Sequence, residues 1–200
     1  EVKGEEQLAD NEVVSSLNCA VVGIGGGGGK MAKAFLDIGF NKTLLVNTTA
    51  KDIPEGVDDK HVVLIPDADG IGKDVSLGKT IFADNGAVVE DALRTKLGSV
   101  DWLFVFAGGG GGTGSAAASL HGVFERYLKS VSAGGNVIYV ISQPSAQESL
   151  NSTISKNAAS LLEDVSEHTH IVLDNERQVK LLRGKVDPEV VFRTILYTIL

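Results

Sequence analysis

Short apolar runs alternate with longer amphipathic runs along most of the chain. The short runs have the length of buried strands, and the longer runs carry apolar residues at helical spacing. The predicted strands are NCAVVGI (18–24), KTLLVNT (42–48), HVVLIP (61–66), VDWLFVFA (100–107), NVIYVIS (136–142) and THIVLDN (169–175). The predicted helices are KMAKAFLDIGF (30–40), 75–97 with an interruption near Asn85, 113–131, 148–167 and 186–200. This alternation predicts a parallel sheet with helices on both faces, a three-layer α/β Rossmann-like fold.

Two runs of consecutive glycines, at 25–29 and 108–112, each follow a predicted strand directly. Glycine weakens any element that contains it, so such runs must serve another purpose. In a parallel sheet the carboxyl ends of the strands share one edge, and ligands bind there. Backbone amides of a glycine loop at this edge point at negative charge. Thr113 and Ser115, which follow the second run, add hydroxyl donors, so the sequence predicts an anion site.

The charge balance argues against several classes of partner. The 200 residues carry a net charge of −8, whereas proteins that bind nucleic acids or anionic membranes favour clustered Lys and Arg. No run of about 18 or more apolar residues and no secretory signal pattern is present. We therefore expect a cytoplasmic protein with no nucleic-acid partner and no membrane span. The single cysteine, Cys19, is predicted to be a buried strand residue, and the histidines have no metal spacing with it.

Two common nucleotide motifs match the first glycine run only in part. Gly23 to Gly28 fit the G-x-G-x-x-G spacing of a dinucleotide site, but the acidic ribose ligand expected at the end of the second strand is replaced by NTT at 47–49. GGGGGK at 25–30 is followed by Met31, whereas a phosphate-binding P-loop has Ser or Thr there. A dinucleotide-dependent oxidoreductase remains an alternative.

The second glycine run resembles the signature loop of the tubulin/FtsZ superfamily. AGGGGGTGSAAA is similar to the loop with which that family wraps the nucleotide phosphates. Other segments resemble the family's loops in the same order: GIGGGGGKMAK the first phosphate loop, NTT the second-strand loop, GIGKDVSLGK (70–79) the γ-phosphate loop, SQPSAQES (142–149) the ribose loop and LDNERQ the base-binding turn. The resemblance covers roughly residues 18–200. It implies the fold of that family's GTPase domain, which ends in a central helix.

The resemblance also implies roles for individual residues. The phosphate-binding residues would be Gly25, Gly26, Gly27, Lys30, Gly72, Lys73, Gly108, Gly110, Gly111, Gly112, Thr113, Gly114 and Ser115. The ribose would contact Glu148 and Ser152, and the base would contact Asn175 and stack on Phe192. The implied ligand is GTP or GDP, with Mg²⁺ allowed for. Lys30, Thr49, Ser152 and Lys73 depart from the residues usual in bacterial members, which indicates a divergent, plasmid- or phage-like member.

The function implied is that of a self-assembling cytoskeletal GTPase. Residues 1–17 would be an N-terminal arm, 18–185 the GTP-binding domain and 186–200 the start of the central helix. Copies would assemble head-to-tail, and a loop beyond Leu200 would complete the neighbour's hydrolysis site, so no catalytic residue and no metal ligand is predicted here. Because the sequence ends on apolar residues, we expect either that the natural chain continues past Leu200 or that a partner covers this end. The alternative is a non-catalytic scaffold or assembly module of the same fold, with a structural nucleotide or none.

Overall fold

The computed structural model describes residues 17–66 and 68–177. Its strands are β1 (Cys19–Ile24), β2 (Thr43–Asn47), β3 (Val62–Leu64), β4 (Trp102–Gly108), β5 (Asn136–Gln143) and β6 (His170–Asp174). They form one parallel sheet in the order β3-β2-β1-β4-β5-β6. All of the predicted strands are confirmed, with small shifts at their ends. The predicted helix at 186–200 and nearly all of the predicted arm at 1–17 lie outside the described residues.

Helices cover both faces of the sheet. They are α1 (Gly25–Asp37), α2 (Val75–Asp84), α3 (Gly86–Leu97), α4 (Gly112–Ser115), α5 (His121–Val131) and α6 (Ser152–Asp164). Because successive strand side chains point to opposite faces, Val21 joins a cluster with Phe35 of α1. The next residue, Val22, joins a second cluster with Leu93 of α3 and Phe124 of α5. The predicted three-layer α/β fold is therefore confirmed.

The strand order reverses at the centre of the sheet. β1 pairs with β2 on one side and with β4 on the other. Every residue of β1 is buried, as expected for a strand covered on both faces. A reversal of this kind leaves a crevice at the carboxyl edge, between the loops that leave the two strands. The first glycine run leaves β1 and the second leaves β4, so both runs lie at this crevice.

The first glycine run is helical, whereas the sequence predicted a loop before the helix. α1 begins at Gly25, directly after β1, and no side chain caps it. Glycine is a poor helix former, but here tertiary packing decides the conformation. A Cβ on Gly28 would lie 2.2 Å from the carbonyl oxygen of Phe106 in β4. The helix therefore lies closer to the sheet than any side chain would allow.

The helices on the other face are more broken than predicted. The helix predicted at 113–131 consists of α4, a 3-10 turn at Ala117–Leu120 and α5. Ala116 lies at the first break and packs tightly on α2, where a Cβ on Gly78 would be 2.9 Å from the Ala116 Cβ. The helix predicted at 148–167 begins as a 3-10 turn at Glu148–Leu150. The interruption predicted near Asn85 is confirmed, since α2 ends and α3 begins on either side of it.

A helix needs about 20 predominantly apolar residues to cross a lipid bilayer, and the described helices are shorter than that. Within residues 17–66 and 68–177, none is long and apolar enough to cross a membrane.

Candidate functional site

A cavity of about 910 Å³ opens at the carboxyl edge of the sheet, over the crevice between β1 and β4. Segments that follow each of the six strands contribute to its walls. The predicted site residues that line it are Gly26, Gly27, Lys30, Gly72, Lys73, Gly108, Gly110, Gly111, Gly112, Thr113, Gly114, Glu148 and Asn175. Gly25, Ser115 and Ser152 do not line it, and Phe192 lies outside the described residues. Most of the predicted site residues therefore lie around one cavity.

The two glycine runs form the floor of this cavity by packing on each other. Gly25 has a φ of +70°, which favours glycine, and a Cβ there would lie 2.8 Å from the amide nitrogen of Gly114. A Cβ on Gly114 would in turn lie 2.6 Å from the carbonyl oxygen of Gly108. Gly27 also packs against Gly108, since a Cβ on Gly27 would lie only 3.2 Å from the Cα of Gly108. Side chains on these residues would push the two loops apart.

The second glycine run keeps part of its backbone available to a ligand. The amide of Gly109 donates to the carbonyl of Ser142 at 2.9 Å, and that of Gly112 donates to the carbonyl of Gly72 at 3.2 Å. Within the described residues, the amides of Gly110 and Gly111 donate to no protein acceptor. A Cβ on Gly111 would meet nothing within 4 Å, so this residue faces open space. These free donors suit an anion.

Hydroxyl groups continue the polar surface beside the second run. Thr113 Oγ1 and Thr48 Oγ1 lie 2.9 Å apart, which fixes the Thr113 side chain at the cavity wall. Ser115 is fully buried behind it, and within the described residues its hydroxyl has no hydrogen-bond partner. The side-chain amide nitrogen of Asn47, Nδ2, is likewise buried without a partner in the described part of the chain. A buried donor without a partner is costly, so both atoms suit an acceptor or a water molecule.

The loop at 70–74 is held against the second glycine run by a side chain of α6. Asn157 Nδ2 donates to the carbonyl of Lys73 at 2.9 Å and, more weakly, to that of Gly110 at 3.4 Å. Asp74 closes the loop by accepting from the amide of Leu77 at 3.0 Å, which caps α2. The two loops therefore form one connected wall of the cavity.

The far end of the cavity lies at β5 and β6. Asn175 follows β6, and its amide nitrogen donates to the hydroxyl of Ser142 at 2.8 Å. Glu148 accepts from the amide and the hydroxyl of Ser145, both at 2.8 Å. Both bonds lower the pKa of Glu148 below its usual range, and the bond from the backbone amide has the larger effect. Glu148 is thus an ionised acceptor at neutral pH.

The lysines of the cavity differ in their partners. Lys33 pairs with Asp37 at 2.7 Å. Lys30 and Lys73 make no hydrogen bond or ion pair through their ammonium groups within the described residues. Two lining carboxylates that follow β2, Asp52 and Glu55, make no hydrogen bond or ion pair within the described part of the chain. The cavity thus combines free backbone amides with free cations.

The described residues include no group of three or more His, Cys, Asp or Glu side chains placed to hold a metal ion. Two histidines meet outside the cavity, where the rings of His121 and His168 are stacked with centroids 3.7 Å apart. His121 Nδ1 lies 3.1 Å from the hydroxyl of Tyr139, and its Nε2 lies 3.6 Å from a carboxylate oxygen of Glu125.

Several lining residues were not predicted. Ser142 and Gly109 lie within loops that the sequence had marked, and only their individual roles were missed. Asp52 lies just beyond NTT, and its carboxyl carbon is 3.7 Å from where a Cβ on Gly26 would stand. Asn157, which fixes the wall, sits in the middle of an amphipathic helix. The sequence did not indicate this role, because a single polar residue on the apolar face of an amphipathic helix is common and does not show which groups it binds.

Comparisons with known proteins agree with this arrangement. Residues 18–183 match the model of the tubulin/FtsZ family, GTPase domain. Comparison of the sequence with curated proteins gives no match. The fold is similar to solved structures that include CetZ from Methanosaeta thermophila, with a TM-score of 0.74 and 24% identity over 92% of this chain and 54% of that one.

Two further similar structures are protofilaments. One is a GTPγS-form protofilament of TubZ from Bacillus thuringiensis serovar israelensis, with a TM-score of 0.76 and 20% identity over 92% of this chain and 55% of that one. The other is a GTPγS-bound protofilament of CetZ2 from Haloferax volcanii, with a TM-score of 0.67 and 25% identity over 92% and 56%. The present chain thus spans little more than half of each of these proteins.

Proposed function

The chain belongs to the tubulin/FtsZ family, and from this we propose that it binds a guanine nucleotide in the cavity at the carboxyl edge of the sheet. We further propose that copies assemble head-to-tail in the cytoplasm, and that GTP is hydrolysed when a neighbouring subunit completes the site.

The distribution of chemistry along the cavity carries this proposal. The two glycine runs follow β1 and β4, whereas Asn175 follows β6, three strands from β1. At about 4.8 Å per strand, Asn175 lies about 14 Å from the first run and about 10 Å from the second. An elongated ligand with an anionic end and a polar planar end fits this span. Phosphates would bind the glycine runs with Thr113, and the base would lie at Asn175.

The ligands expected for ribose and base come from the two neighbouring strands. Glu148 is ionised and accepts hydrogen bonds, which suits ribose hydroxyls. The side-chain amide of Asn175 keeps one hydrogen and lone-pair capacity beyond its bonds to Ser142. An amide that both donates and accepts suits the mixed edge of guanine. Ser152, the first residue of α6, does not line the cavity and is proposed as a ribose ligand only after the start of that helix moves towards the ligand. Phe192 is proposed as the stacking residue.

Assembly is supported by the kind of proteins that share the fold, since two of them are protofilaments with GTPγS. A head-to-tail contact is heterologous and does not close, so it generates filaments. In such a filament the nucleotide would lie between subunits. Catalysis of phosphoryl transfer would then depend on positioning and electrostatics.

The first test is the identity of the co-purified nucleotide. Full-length protein is denatured, and the released nucleotide is identified by ion-exchange chromatography. We expect GDP or GTP at close to one per chain. Asn175→Asp replaces the side-chain NH₂ donor with an acceptor oxygen. It should lower the amount of guanine nucleotide released per chain while the fold is retained. Protein that carries no nucleotide, and takes up none from GTP with magnesium, would contradict the proposal.

The second test separates a GTPase from a scaffold. Sedimentation of full-length protein with GTP, and phosphate release as a function of protein concentration, are measured together. We expect polymer in the pellet and a turnover per subunit that rises with concentration, because two subunits form each site. Tight nucleotide binding with no turnover at any concentration would instead identify the non-catalytic module.

A further inference from the structure

Two lysines of the cavity have no counter-charge. Lys30 and Lys73 line it, and within the described residues neither ammonium group makes a hydrogen bond or an ion pair. Lys33, which lines the same cavity, is neutralised by Asp37 at 2.7 Å. In a chain whose net charge is −8, most cations have acidic partners within reach. Two unpaired ones beside the anion-binding loops are available to a ligand.

The backbone fixes where both lysines stand. Lys73 has its carbonyl bound by Asn157 at 2.9 Å, and the preceding carbonyl of Gly72 accepts from Gly112 at 3.2 Å. Its side chain therefore starts beside the second glycine run. Lys30 follows the first glycine run on α1, at a helical position that is equally fixed. One cation thus flanks each of the two loops at which a phosphate chain would bind.

Two of the four carboxylates that line the cavity are already engaged by other residues. Asp37 is engaged by Lys33, and Glu148 is engaged by Ser145. Within the described residues no group of three metal-ligating side chains exists. Magnesium at nucleotide sites is usually held by one or two carboxylates and by the phosphates themselves. Within the described residues Asp52 and Glu55 remain free, and Asp52, whose carboxyl carbon lies 3.7 Å from a Cβ built on Gly26, is the competing candidate for a metal role.

We propose that Lys30 and Lys73 together supply the counter-charge of the bound phosphate chain, so that a nucleoside polyphosphate binds this site without a divalent cation. The inference rests on the proposed function, in that it takes the cavity as a nucleotide site. It assigns the neutralising role to two ammonium groups. Both lysines are exposed in this structure, and each would interact more strongly with the phosphates as the bound ligand displaces water from the cavity, because charge pairs count for more at lower dielectric.

The test is calorimetric titration of nucleotide-free, full-length protein with GTP, ATP and inorganic tripolyphosphate, in excess EDTA and in magnesium. For the wild type we expect affinities for GTP in the two conditions to agree within about threefold. Lys73→Gln and Lys30→Gln should each weaken binding in EDTA by about tenfold, which corresponds to about 1.4 kcal/mol. Added magnesium should restore much of this loss, because it provides the missing charge.

Two variants serve as comparisons. Lys51→Gln removes the same charge from an exposed residue that does not line the cavity and pairs with Asp69. It should change the affinity by less than about twofold, because exposed ion pairs and distant charges are largely screened. Asp52→Asn tests the competing metal role. It should leave binding in magnesium unchanged or strengthen it, since it removes a negative charge near the phosphates.

The outcomes separate this inference from the proposed function. Loss of wild-type GTP binding by more than about tenfold in EDTA, or equal effects of Lys73→Gln and Lys51→Gln, would overturn the inference while the nucleotide site stands. Weaker magnesium-dependent binding in Asp52→Asn would overturn it too. Lysine-dependent binding of tripolyphosphate in EDTA with no preference for GTP over ATP would support the inference and contradict the guanine assignment. No binding of any of the three would contradict both.

Discussion

At the scale of single residues, the glycines of the two runs have different purposes. Gly28 of the first run and Gly114, just after the second run, face backbone atoms, where a Cβ would lie 2.2 Å and 2.6 Å from a carbonyl oxygen. Gly111 faces open space at the cavity. The first kind allows α1 and β4 to pack together, and the second kind leaves room for a ligand. Substitutions at the two kinds of position should therefore act on different properties.

Gly111→Ala and Gly28→Ala test this difference. The first should change the free energy of unfolding by less than about 1 kcal/mol and weaken nucleotide binding by about tenfold or more, because a methyl group enters ligand space. The second should lower the free energy of unfolding by about 1–3 kcal/mol or more, the usual cost of overpacking. Urea denaturation and nucleotide titration of both variants provide the measurements. Equal loss of stability in the two would contradict the assignment.

His121 should make stability depend on pH. Burial lowers the pKa of His121, and the stacked His168 lowers it further, against the opposing effect of Glu125. Unfolding frees the imidazole to take up a proton near its ordinary pKa of about 6.5. Between that pH and the lower folded pKa the unfolded chain binds more protons, so the free energy of unfolding falls as the pH falls below about 6.5.

The measurement is the melting temperature between pH 7.5 and 5.5. His121→Phe retains a ring for stacking on His168 but cannot titrate, so its decline on acidification should be shallower than that of the wild type. A decline of the same steepness in His121→Phe would refute the assignment to this group.

At the scale of elements, the site depends on connections between segments distant in sequence. Asn157 of α6 holds the carbonyls of Lys73 and Gly110, and Thr48 after β2 meets Thr113 of α4. Each link joins a loop to its neighbour at the rim. The wall of the cavity is therefore set by helices and strands, and the loops have little independent freedom.

Asn157→Ala should loosen this wall. Loss of its two hydrogen bonds leaves two partly buried carbonyls without this donor, which should lower the free energy of unfolding by about 1 kcal/mol. Nucleotide affinity in EDTA should fall as well, because the position of Lys73 is no longer fixed. Ser155→Ala, on the exposed side of the same helix, serves as the control. If stability falls while affinity is unchanged, the side chain serves the fold alone.

Elements and loops could be predicted from the sequence to different degrees. β1 and β4 are apolar throughout because both faces of the sheet are covered, and that composition is visible without a structure. The helical state of Gly25–Gly29 could not be predicted, because it depends on the approach of α1 to β4. The role of Asn157 was hidden for a similar reason, since its partners lie 84 and 47 residues away. The local pattern of apolar residues indicates which segments are buried. Contacts between segments distant in sequence produce no such pattern, so they could not be predicted.

At the scale of the whole molecule, one sheet organises both the core and the site. Its central strands are paired on both sides and buried, while β3 forms an edge, where Leu64 is 45% exposed. The protection of backbone amides from hydrogen exchange should therefore decrease from the centre of the sheet to β3.

Amide hydrogen exchange measures this gradient. We expect the slowest exchange in β1 and β4, because these amides open only with the whole domain, and exchange faster by orders of magnitude in β3. Nucleotide should slow exchange in the loops at the carboxyl edge without changing this order. If β3 were as protected as β1, another segment would have to cover that edge.

The pairing of β1 with β4 also sets the order of events on the ribosome. Cys19 is opposite Trp102, so about 80 further residues must be synthesised before β1 meets this partner. At about 5–20 residues per second, that interval is roughly 4–16 seconds. β2 emerges early and covers one side of β1, but the other side remains an open, apolar strand edge for that time. Such edges promote aggregation, so the nascent chain should depend on chaperones until β4 has left the exit tunnel.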